Sequence, residues 1–340
     1  MTRPPLGAAL SVLDLAPVPA GSTSAVALRN TLDLARHVER LGYRRYWLAE
    51  HHNMPGIASS APAVLIAHVA DATERIRVGS GGVMLPNHAP LVVAEQFGML
   101  EALDPGRIDL GIGRAPGTDP VTAAALRRSA DALSADDFPE QLMDLIGFFT
   151  GEFPDEHPYR SITAVPALGN MPALWMLGSS GYGAQVAGVL GLPFAFAHHF
   201  SAQYTLPALE LYRRAFRPSA VLAEPYAMIG VAVVCAEDES RARWLSGPGA
   251  LSYLRLRTGR PAQFPTPEEA AAYPYTAVER RAVEDRLRDQ VIGDPAVVRA
   301  RLDELVASTG VDELMVTTML HDHADRLRSY ELVAEAAGLH

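Results

Sequence analysis

Short apolar runs alternate with amphipathic stretches along the whole chain. Ala8–Leu13 is the first such run, and its length predicts a strand. Ser24–Leu41 follows with Leu28, Leu32, Leu34, Ala35, Val38 and Leu41 at helical spacing, and stops at Gly42. The same two-part unit then recurs. Further strands are predicted at Tyr46–Glu50, Ile76–Val83, Ile108–Gly113, Ala173–Leu177, Phe194–Ala197, Tyr226–Val234 and Glu313–Thr318. Helical patterns fall at Ala61–Ala72, Leu91–Leu103, Leu126–Phe149 with a break near Pro139, Gly181–Leu190 and Gln203–Phe216. Ser240–Leu256, Val278–Val291, Pro295–Thr309 and Ala324–Ala337 continue the helical series.

Strands that alternate with helices of this length imply a parallel sheet with helical crossovers. Eight such units in 340 residues predict a closed (β/α)8 TIM barrel with insertions, with an open doubly wound sheet as the other arrangement. No internal repeat, heptad or low-complexity linker divides the chain, so residues 1–340 read as one domain. Gly151–Pro172 is a Pro/Gly-rich connection. Gly259–Tyr275, rich in Pro, Ala and Glu, fits neither period and lies in an unusually long seventh connection, which makes it a candidate mobile lid.

Composition narrows the function classes. The chain is 49% hydrophobic and 20% charged, with a net charge of −10. A scattered acidic surface disfavours nucleic acid, whose phosphates need a basic face. No run approaches the ~20 apolar residues of a membrane span, and the N-terminus lacks the pattern of a secretory signal. The single cysteine, Cys235, follows the apolar run Val231–Val234 and reads as core, which excludes a disulfide scaffold and fits the cytoplasm. All 29 basic residues other than histidine are arginine. Without lysine there is no Schiff-base nucleophile and no P-loop. No G-x-G-x-x-G opens the first helix, which sets aside a Rossmann dehydrogenase.

A barrel gathers its chemistry at the C-terminal strand ends. Those ends read Glu50-His51-His52-Asn53, Gly79-Ser80-Gly81-Gly82, Gly111-Ile112-Gly113-Arg114, Gly178-Ser179-Ser180-Gly181, Ala197-His198-His199 and, after the last strand, His321-Asp322-His323. Ser179, Ser180 and Gly183 open a helix, where free N–H groups and hydroxyls attract a phosphate; plain N-capping is the alternative. Arg114 suits the same phosphate, or a surface ion pair. Gly81, Gly82 and Gly113 allow a planar ligand to approach the backbone. His51 and His52 are neighbours and face opposite ways on a strand, so one of them is placed for proton transfer. The H-x-H of His321 and His323 lacks an evident carboxylate partner, so no metal site is expected.

These strand ends resemble those of the bacterial-luciferase-like flavin monooxygenases. The likeness is carried by Leu48–Asn53, Arg77–Pro86, Ala94–Phe97, Pro105–Arg114, Gly178–Ser180 and Gly191–Phe194, and is tightest from Tyr43 to Arg128. It implies a two-component monooxygenase that uses O2 and reduced FMN supplied by a separate NAD(P)H:flavin reductase. The FMN phosphate would sit on Ser179, Ser180, Gly183 and Arg114. Its ring would lie against Gly81-Gly82, where the family carries a cis peptide bond. His51 matches the family's active-site histidine. Met84, Pro116 and His199 would line the rim against a small aldehyde or an aromatic, polyketide-type substrate. The family commonly forms dimers through barrel helices, so a homodimer is expected. In luciferases the position matching Gly113 is cysteine, and that departure counts against light emission. Relatives that use the deazaflavin F420 for hydride transfer, and relatives that only bind flavin, are the alternatives.

Overall fold

A computed structural model describes residues 6–115, 119–127 and 137–339. Among the described residues nine parallel strands are present. They are β1 (Ala9–Asp14), β2 (Arg45–Leu48), β3 (Arg77–Met84), β4 (Ile108–Gly113), β5 (Ala173–Gly178), β6 (Phe194–Phe196), β7 (Ala227–Cys235), β8 (Val291–Gly293) and β9 (Glu313–Thr317). β1 to β6 pair in sequence order, β9 joins β1 to β7, and β6 pairs with β7 to close the ring. Eight strands therefore form a barrel, and β8 hangs on β7 alone. The expected (β/α)8 architecture is the one observed.

The alternation of side chains explains why these runs close as they do. Along β2, Tyr46 and Leu48 point outward into the apolar layer beneath the helices, while Trp47 and Ala49 point into the barrel. β1 and β9 follow the same rule, with Leu10, Val12, Leu314 and Val316 outward, and Leu13 and Met315 inward. A parallel strand buried on both faces reads as a nearly continuous apolar run, which is the pattern the sequence shows.

The barrel interior is layered. At its N-terminal end Arg45 donates to Asp109 at 2.8 Å and to Glu313 at 3.0 Å, and its guanidinium lies 4.7 Å from the Trp175 ring centre. Arg77 adds a second cation to Asp109 at 2.6 Å, and the Tyr226 hydroxyl donates to Glu313 at 2.8 Å. Above this network Trp47 meets Trp175 edge to face at 5.2 Å, and the Trp47 indole N–H donates to Asp109 at 2.9 Å. Leu13, Met228 and Met315 cap the stack. They form the floor on which the mouth is built.

Some parts of the chain add to or depart from expectation. The helical pattern Val278–Val291 ends early. The helix is Ala277–Arg288, opened by a Thr276/Glu279 capping box, and the β-branched pair Val291-Ile292 joins β8 instead. β7 outruns the barrel, and its Val233–Cys235 edge takes β8 as a partner. Gly259–Tyr275 contains a short helix, Pro267–Ala272, and the buried Phe264 anchors it by donating to Val18 O and accepting from Ala20 N–H. Across the predicted Leu126–Phe149 stretch, helices Pro120–Arg127 and Phe138–Thr150 are present, and residues 128–136 lie outside the described set. Cys235 is buried, as its setting predicts, and burial pushes its thiol up to about 12. No helix among the described residues is long and apolar enough to cross a membrane.

Candidate active site

The C-terminal ends of β1 to β7 and β9 surround a cavity of about 270 Å³. Its floor is Leu13, Trp47, Met228 and Met315. His51, Gly81, Gly82, Met84, Gly113, Arg114, Ser179, Ser180, Gly183 and His199, singled out from strand ends far apart in sequence, all line it. Pro116 lies outside the described residues.

Glu50 decides which histidine faces this cavity. Its carboxylate is buried and accepts from the Met84 N–H at 2.9 Å, His52 Nε2 at 2.8 Å and His88 Nε2 at 2.9 Å. Burial alone would raise its pKa, but these donors outweigh it and hold the carboxyl at about 2. His52 is thereby turned onto Glu50, while the His51 backbone donates to Ser59 O at 2.9 Å and its residue lines the cavity. The sequence places Glu50 at the strand end without a role and leaves His51 and His52 as alternatives for the proton-transfer position.

One corner of the cavity is built for an anion. The helix Gly181–Leu190 starts here with Ser180 as its N-cap, yet the Ser180 hydroxyl makes no capping hydrogen bond, and the first turn carries no acid. The exposed N–H groups and positive end of the helix are left for something else. Gly183 lets that helix start against β5: a Cβ there would lie 2.8 Å from Leu177 O. Arg114 extends over the Tyr182 ring at 4.1 Å, on the first turn of this helix, and lines the same cavity as the serines. Sequence alone assigns Tyr182 no role.

The opposite wall is backbone. The Gly81-Gly82 peptide bond is cis. A Cβ at Gly113 would lie 3.0 Å from Met84 Sδ, so a larger residue at 113 would require Met84 to move.

His199 stands at the far side. Its Nδ1 is buried against Gly230, where a Cβ would lie 2.6 Å away. Burial, helped by the positive fields of Arg286, His198 and His51, pulls its pKa down to about 4. The imidazole is therefore neutral at physiological pH. His199 and Leu15 also line a second cavity of about 240 Å³ beneath the seventh connection.

The remaining histidine motif comes apart in space. His321 Nε2 lies 3.2 Å from Ala20 O, and His323 pairs with Asp33 at 2.9 Å. Among the described residues, no group of three or more His, Cys, Asp or Glu is placed to hold a metal.

Comparison with known proteins identifies relatives of the whole chain. A family model described as luciferase-like monooxygenase matches residues 9–313. The Bacillus subtilis (strain 168) protein named "Uncharacterized protein YvbT" is 51% identical over 326 residues, which cover 96% of each chain. A "Luciferase-like monooxygenase" of Escherichia coli (strain K12) is 46% identical over 327 residues, again 96% of each. The solved structure of apo-MsnO8 superposes with a TM-score of 0.89 at 40% identity, covering 98% of this chain and 99% of that one. The oxygenating constituent of 3,6-diketocamphane monooxygenase from Pseudomonas putida, solved with FMN, shares the fold at TM-score 0.70 and 18% identity, covering 96% of this chain and 97% of that one.

Proposed function

From the premise that this chain belongs to the luciferase-like monooxygenase family, we propose that it is the oxygenating component of a two-component, FMN-dependent monooxygenase. A separate NAD(P)H:flavin reductase supplies reduced FMN, and O2 is the co-substrate. The observation that carries this reading is the anion corner: a helix start whose N-cap hydroxyl is unused, with Arg114 over its first-turn tyrosine and an apolar, backbone-walled cavity next to both. A phosphate joined to a flat ring fits that combination.

Ser179, Ser180, the Gly183 amide and Arg114 would hold the phosphate. Gly81, Gly82 and Gly113 would face the ring. When bound, reduced FMN supplies the two electrons that divide O2 between product and water. The chain's own part is to orient the reactants and keep water out, for which Met84, Leu15 and the floor residues form an apolar lining. His51 holds or moves a proton at its ring nitrogen on the cavity side. The neutral His199 limits the opposite wall. Gly259–Tyr275 serves as the lid: Pro261, Ala262 and Phe264 already cover the second cavity. The substrate is a small organic molecule of the aldehyde or aromatic type. The helices Pro62–Ala72 and Pro90–Leu103 leave Val64, Val92, Met99 and Leu103 exposed, which supports a homodimer through barrel helices. The reducing cytoplasm is the compartment for a chain whose one cysteine is a buried thiol.

Anaerobic mixing with photoreduced FMN, followed by oxygen in a stopped-flow spectrometer, tests the reading. Bound reduced FMN is expected to reoxidise at least about tenfold more slowly than free FMN, because the site shelters it. Reoxidation at the free rate would remove the oxygenase reading, and oxygen-independent hydride transfer to F420 would replace it. Arg114→Ala is expected to weaken FMN by about 10- to 100-fold, the worth of a charged hydrogen bond, while riboflavin binding changes little. Equal losses for both in fluorescence titrations would place Arg114 off the phosphate.

A further inference from the structure

The second cavity is walled mainly by apolar side chains, among them Met54, Ile57, Leu256, Phe264 and Met319. Set into this wall is one cation, Arg286, on the helix Ala277–Arg288. Its Nη1 donates to the His199 carbonyl, and its guanidinium lies 5.2 Å from the Tyr253 ring centre. Among the described residues no carboxylate lies within ion-pair distance of it. The contrast with the chain's buried arginines is direct: Arg45 pairs with Asp109 at 2.8 Å, and Arg326 with Asp14 at 2.6 Å. Burial lowers the pKa of Arg286, against weaker support from Tyr253 and Asp289. A partly desolvated guanidinium held by one carbonyl and one ring still has N–H donors to offer.

We propose that Arg286 anchors the carboxylate of an amphiphilic organic-acid substrate, whose apolar end passes His199 into the main cavity. This assignment rests on the main cavity being the oxygenation site. The two cavities adjoin here, because His199, whose carbonyl Arg286 holds, and Leu15 line both. The charge favours a monoanion. Arg286 is the cation of this wall, and Ser246, Ser252, Gln290 and Thr317 supply only neutral polar groups, too few for a phosphate dianion. The apolar walls fit an alkyl or aryl body. His199 then has a second role, since its carbonyl fixes the anchor.

The test compares hexanoate, octanoate and 4-phenylbutanoate with their primary amides by calorimetry, on the protein without flavin and again with FMN. At least one acid is expected to bind about tenfold more tightly than its amide, and Arg286→Gln to erase that preference while the amide changes less than about twofold. Gln290→Glu, which adds a like charge to the same wall, is expected to weaken the acid and spare the amide. Acids and amides that bind alike, acids that fail to bind at all, or a preference that survives Arg286→Gln would each overturn the anchor. FMN titrations on the same samples separate the two readings. If FMN fails to bind while the acid preference persists, the flavin assignment is lost and the anion site remains.

Discussion

Arg45→Met is expected to cost the barrel about 3–5 kcal/mol, a large part of the roughly 5–15 kcal/mol that holds a domain together. Arg45 is the shared cation of two carboxylates with no solvent access, Asp109 and Glu313. Without it Asp109 keeps Arg77 at 2.6 Å and the Trp47 indole N–H at 2.9 Å. Glu313 keeps only hydroxyls, from Ser11 and from Tyr226. A charge left in that state must be protonated or destabilise the fold. Adding Glu313→Gln to Arg45→Met should therefore recover a substantial part of the loss. Urea unfolding at neutral pH measures both. A loss under about 1 kcal/mol for the single change would mean that water reaches this network and screens it.

The second large effect falls at the mouth. His51→Ala is expected to lower oxygen transfer to substrate by about 10²–10⁴, the usual worth of a positioned proton-transfer group. FMN affinity should stay within about twofold, because the phosphate corner is built from other elements. The readout is labelled oxygen recovered in product, set against oxygen released as hydrogen peroxide. His52→Ala is expected to have the smaller effect, since His52 is hydrogen-bonded to Glu50 and is not among the residues that line the cavity. Unchanged transfer in His51→Ala would remove His51 from the proton-handling role, and a larger loss in His52→Ala would exchange the two.

Much of this architecture was legible because a parallel barrel writes itself in repeats. Each strand is short and apolar, each helix is amphipathic, and each strand end carries the polar and small residues of the mouth. Ser179, Arg114 and His51 stand out for that reason, and the structure brings them to one cavity. What escaped depends on partners that spacing does not encode. β8 is three residues long and closely follows a helix, so its first residue, Val291, reads as the end of that helix. Arg286 sits among Arg280, Arg281 and Arg288 on a strongly charged helix, where one more arginine reads as solvated. Its burial follows from the insertion folding back over the mouth. Glu50 was visible, but its function is to choose between two histidines, which needs the position of His88 on the next connection.

The short strand β8 has a consequence for how this chain can change over time. It pins the seventh connection to the overhang of β7, outside the ring that closes the barrel. The helices that carry Tyr253 and Arg286 are thus held by a clasp separate from the strands that carry Arg114 and Ser180. Mutations around Arg114 and Ser180 can accumulate without touching this clasp. A lineage can exchange what it oxidises while inheriting its redox machinery intact, and a designer can graft the stretch from helix Glu239–Arg257 through β8 between relatives as a cassette.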